Sequence, residues 1–120
     1  MTNEILNGEM LNEEQLDAVV GGTRGELSCD TKFLYALGLM NNYHEPGYIE
    51  NHVNEVIGDI QSAFKKVGIP YDLVINYSAN GNNEYRLKMS AVSARTTRAK
   101  LYRTICEKVG KPDFDYKKYL

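Results

Sequence analysis

Ile60-Gln61-Ser62-Ala63-Phe64-Lys65-Lys66-Val67-Gly68-Ile69-Pro70-Tyr71-Asp72-Leu73-Val74-Ile75-Asn76-Tyr77 holds the change of period on which the fold turns. Up to Val67 the apolar residues recur every three or four positions, the mark of an amphipathic helix. Traced back, Ile49, Val53, Val56, Ile57, Ile60, Ala63, Phe64 and Val67 extend that stripe, and the spacing predicts a helix over Tyr48–Val67. Acids early and Lys65 and Lys66 late agree with the helix dipole. Gly68 suits a C-cap, and Pro70 blocks continuation. Beyond Pro70 the period falls to two: Tyr71, Leu73, Ile75 and Tyr77 alternate with polar partners, as in a half-buried strand.

Outward from this junction, residues 79–83 (Ala-Asn-Gly-Asn-Asn) form a turn segment rich in residues that tolerate positive φ. Tyr85, Leu87, Met89 and Ala91 alternate again, which completes a β-hairpin. A last helix is expected over Ser93–Val109, with Ala99, Tyr102, Ile105, Cys106 and Val109 inward, closed by Gly110 and Pro112. An earlier one is expected at Asp30–Asn41 on the stripe Phe33, Leu34, Leu37 and Met40, preceded by a polar linker at Thr23–Glu26. The tail from Asp113 to Leu120 is aromatic and charged, and can dock or hang free. The expectation is an α+β fold: an N-terminal leader helix, then α-α-β-β-α with the helices on one face of a small antiparallel sheet. Two strands alone are marginal, and their edges stand open. That calls for a further strand, a homodimer through the open sheet edges, or a partner's strand.

At 120 residues, with 42% hydrophobic and 25% charged, the chain makes one globular domain plus at most a tail. No stretch approaches the about 18 apolar residues of a membrane span. A Sec-type signal peptide is not expected, because a basic start and a long apolar run are missing. The net charge of −2 conceals a division. Residues 1–22 carry Glu4, Glu9, Glu13, Glu14 and Asp17 with no Lys or Arg, a sum of −5; the 14 Lys and Arg and the other 11 acids lie beyond, a sum of +3.

The acidic segment has its own pattern. Leu11, Gln15, Leu16 and Val19 share one broad arc of a helix that Asn12 can cap, and Gly21-Gly22 ends it. This resembles a double-glycine leader, the export tag of bacteriocin-type peptides in Gram-positive bacteria. Leu11 stands about a dozen residues before the glycine-pair cut, Leu16 at the seventh position and Val19 at the fourth; the usual Glu before the second leucine is Gln15, with Glu14 one step earlier. The resemblance covers residues 1–22 only. It implies a peptidase-containing ABC transporter that grips Leu11, Gln15, Leu16 and Val19 and cuts between Gly22 and Thr23. A cytoplasmic precursor would become a secreted product of residues 23–120, for which the resemblance suggests an antimicrobial role against an unknown extracellular target.

The rest of the chain offers less chemistry. Cys29 and Cys106 are either a disulfide, stabilising an exported protein by about 4 kcal/mol through closure of a long loop, or two buried thiols. His44 and His52 with Glu45 and Glu55 fit no zinc spacing and read as solvated residues, so no metal is expected. Nucleophile, phosphate-loop and dinucleotide motifs are missing, so neither an enzyme nor a cofactor is expected. Arg95, Arg98, Lys100 and Arg103 form a basic run that reads as a solvated helix face or as a contact for anions or a membrane surface; nucleic acid is not expected at so small a net charge. Against the exported precursor stands an intracellular α+β protein-binding module whose N-terminal helix merely ends in Gly-Gly.

Overall fold

A computed structural model of the chain describes residues 24–78 and 81–120. The expected leader helix and the cleavage residues Gly21, Gly22 and Thr23 lie outside the described residues, as do Leu11, Gln15, Leu16 and Val19. The elements run α1 (Arg24–Ala36), α2 (Pro46–Ile49), α3 (Val53–Val67), β1 (Asp72–Asn76), β2 (Glu84–Met89), β3 (Val92–Thr96), α4 (Arg98–Lys108) and a 3-10 turn (Tyr116–Tyr119). The sheet is antiparallel in the order β1-β2-β3.

The period switch is where the sequence puts it. Val56, Ile60, Ala63, Phe64 and Val67 are the buried stripe of α3. Gly68 ends the helix in the left-handed region at φ 89°, and β1 follows with Leu73 and Ile75 inward. β2 pairs with β1 from Asp72↔Lys88 to Asn76↔Glu84, which turns Tyr85 into the core beside Ile75. The Asn83 side chain accepts the Ser78 N–H at 2.9 Å and ties together the two ends of the turn segment.

Four expectations change. The first helix is described over Arg24–Ala36, so residues 24–26 are helix and not linker, and residues 37–41 lie beyond its end. Its inner face carries Ser28, Asp30 and Thr31 beside Leu27, Phe33 and Leu34, and these polar residues hide the stripe from a hydrophobicity count. The helix expected from Tyr48 to Val67 is two. Pro46 fixes the first turn of α2, and the backbone breaks at His52 (φ −139°, ψ 32°), whose Nδ1–H donates to the Tyr48 carbonyl at 2.7 Å. Residues 93–96 are not helix but the outer part of a third strand, joined to β2 by the two-residue turn Ser90-Ala91. The last helix begins after Thr97, whose hydroxyl caps the Lys100 N–H at 3.1 Å. Its inner stripe is Leu101, Tyr102, Ile105 and Cys106, while Ala99 is exposed.

The tail docks. Phe114 and Tyr119 set their rings 6.1 and 6.0 Å from Phe33, which itself stacks on Tyr102 at 3.9 Å. Among the described residues no helix is long and apolar enough to cross a membrane.

Two glycines of α3 separate backbone strain from helix propensity. A Cβ at Gly58 meets open space, so Gly58→Ala should raise stability by about 0.5–1 kcal/mol. At Gly68, φ 89° puts a side chain in strain, and Gly68→Ala should lower stability by about 1 kcal/mol or more. Urea unfolding of the two variants checks this: shifts of the same sign would refute it.

Candidate functional site

Asp30 is the most demanding residue of the core. It is 2% exposed, on the inner face of α1. The Tyr85 hydroxyl from β2 and the Tyr102 hydroxyl from α4 both donate to its carboxylate, and Arg98 Nε donates to Oδ1 at 3.1 Å. The same guanidinium donates to the Tyr102 hydroxyl at 2.8 Å and to the main-chain oxygens of Tyr119 and Leu120 at 3.0 and 3.1 Å. Burial, with Asp30 alongside, pushes both phenols well above their ordinary range. Burial, the largest single influence, would lower the Arg98 guanidinium; Asp30, Tyr102 and Tyr85 together outweigh it and hold the group firmly protonated. The void beside this cluster is about 10 Å³, no more than one water could fill. The cluster therefore works as a clasp inside the core, closed to any substrate.

Of the expected basic run, Arg98 thus points inward, against the expectation that it faces solvent. It lies three and four residues before Leu101 and Tyr102, on their stripe, and that spacing was the available signal. Arg95 sits on the outer sheet face and bonds Glu84 at 2.8 Å. Asn76 first, then Arg95, hold the Glu84 carboxyl below its usual range. Lys100 and Arg103 are exposed on α4. The four residues therefore do not make one patch. Cys29 and Cys106 are both free thiols; Cys106 is buried, which pushes its thiol up.

The start of α1 is tied down on several sides. Arg24 Nη1 meets Glu50 Oε1 at 2.8 Å at the end of α2. Glu26 Oε1 accepts the Asn83 N–H at 2.8 Å, and Leu27 is 0% exposed. Ser28 Oγ donates to the His44 carbonyl at 2.7 Å, and Thr31 Oγ1 accepts the His44 N–H at 3.0 Å. Burial raises the Glu26 carboxyl, an effect the Asn83 N–H partly offsets.

Two surfaces remain. An open cleft of about 460 Å³ runs between residues 39–44 and α3. His44 and Tyr48 line it and stack at 4.5 Å, His52 outside it stacks on Tyr48 at 3.9 Å, and the Tyr48 hydroxyl donates to Glu55 at 2.6 Å. No group of three or more metal-ligating side chains occurs among the described residues. The second surface is the sheet's edge. Gln61 of α3 caps the Leu73 carbonyl of β1 at 3.0 Å, whereas β3 is exposed from Val92 to Arg95, with Met89 and Val92 47% and 66% exposed at its far end. Comparison with protein-family models, curated proteins and solved structures returns no match.

Removing the carboxylate leaves a buried guanidinium and two phenols without their acceptor. Asp30→Ala should cost about 3–5 kcal/mol, measured by urea unfolding; a loss under about 1 kcal/mol would show that the clasp is not needed. At Glu26 the sign runs with pH. Its folded value lies above its ordinary one, so its contribution is whole below about pH 4.5 and is lost as pH rises through the folded value. Glu26→Gln keeps an acceptor for the Asn83 N–H, and its stability relative to the parent should rise between about pH 4 and pH 7. A difference that stays flat over that window would contradict the burial argument.

Proposed function

We propose that the chain is the precursor of a secreted, bacteriocin-like small protein. Residues 1–22 serve as a double-glycine leader, held at Leu11, Gln15, Leu16 and Val19 by the peptidase domain of an ABC transporter and cut between Gly22 and Thr23. Residues 23–120 are the cargo. The observation that carries this reading is the leader spacing Leu11, Leu16, Val19 and Gly21-Gly22, which puts the cut after Gly22, ahead of every core residue among the described ones. The described core residues, from Leu27 to Cys106, and the Asp30 clasp fall on the product side. Cleavage also removes five acids and leaves a product of net charge +3.

The cargo is read as a binding protein rather than an enzyme, because its buried carboxylate, phenols and guanidinium saturate one another. Its contact surface is the exposed β3 edge, where Arg86 already bonds the Ser93 carbonyl at 3.1 Å. Antiparallel pairing of two copies about Ala94 sets Arg95 of each opposite Ser93 of the other and avoids a like-charge clash. The same edge favours a second reading, an intracellular module that binds a partner's strand.

Co-expression with a peptidase-containing transporter separates the two. The supernatant should contain a mass matching residues 23–120, and light scattering on that product should give twice the chain mass. Gly22→Val should abolish its appearance. Retention of residues 1–22 on all of the protein, or indifference to Gly22→Val, would leave the intracellular module as the better account. A monomeric product would remove the β3 pairing alone.

A further inference from the structure

From the second residue after the scissile Gly22–Thr23 bond onward the chain is helical, and the fold holds that stretch of α1 firmly. Arg24 is paired to Glu50, Glu26 receives the Asn83 N–H, Leu27 is sealed in the core and Ser28 is bonded to the His44 carbonyl. These are the second, fourth, fifth and sixth residues on the product side of the cut. A peptidase accepts its substrate as an extended strand across a cleft, and native proteins are cut where several residues can adopt that shape. Helical residues anchored to α2, to the turn segment before β2 and to the core cannot do so until the start of α1 unwinds.

The geometry points to folding of the cargo as the control on its own processing: the native domain masks the product side of the cleavage site, and the peptidase acts before α1 forms or only when it opens. This rests on the double-glycine reading and adds to it an order of events, cut first and fold second. When opening and reclosing are fast, cleavage tracks the open fraction. Withdrawing a fully buried leucine alone reduces that fraction by about 10- to 100-fold.

The test uses the full-length chain, a purified peptidase domain that accepts double-glycine leaders, and a synthetic peptide of residues 1–30, too short to build the core. Cleavage after Gly22 is followed by mass spectrometry. The peptide should be cut, and the folded chain should be cut at least about tenfold more slowly. Glu50→Ala in the full chain alters no residue near the cut, yet frees Arg24 and should speed cleavage by about two- to fivefold. Leu27→Ala in the full chain should approach the peptide rate, while the peptide carrying Leu27→Ala should be cut like the unaltered peptide. If the folded chain is cut as fast as the peptide, the masking is refuted and the leader stands. If the peptide is not cut at all, the leader reading itself falls.

Discussion

A carboxylate shut away from water must find its partners within the protein, and Asp30 finds them from every layer of the fold. Tyr85 comes from the middle strand, Tyr102 and Arg98 from α4, and Arg98 in turn gathers the main chain at Tyr119 and Leu120. Each of these polar groups would be costly alone in the core and is satisfied only when the others are in place. The Phe33–Tyr102 stack packs beside the cluster. This arrangement sets the register of α1 against the sheet, and with that register Leu27 and Glu26 fall where they do.

Where apolar periodicity is undiluted, sequence and structure agree. The stripe of α3, the stop at Gly68 and the alternation of β1 and β2 are local patterns with local causes. The departures share another cause. Ser28, Asp30 and Thr31 lie on the buried face of α1 because their partners come from residues 13 to 72 positions away, a distance that no window along the chain senses. β3 has Ser93, Ala94, Arg95 and Thr96 exposed or half-exposed, so it lacks an apolar rhythm and merges with the helix formers of α4. Its pairing with β2 and the Thr97 cap mark the boundary instead.

The functional residues divide in the same way. The proposed leader is a matter of spacing alone, and residues 11–22 resemble that pattern apart from Gln15. The basic run was legible only as composition. Tertiary structure sorts its members into a core ligand at Arg98, a sheet-face partner of Glu84 at Arg95, and two solvent-facing residues on α4. The counterparts at Asp30 and Glu84 decide that sorting, and neither adjoins the run in sequence.

The clasp also has a consequence in time. Asp30 is 68 residues from Arg98 and 72 from Tyr102, so these contacts cannot exist while a ribosome still holds the second half of the chain. Synthesis runs at about 5–20 residues per second, and contacts of such long range close slowly. The nascent chain thus passes through an interval of seconds before the Asp30 clasp can close.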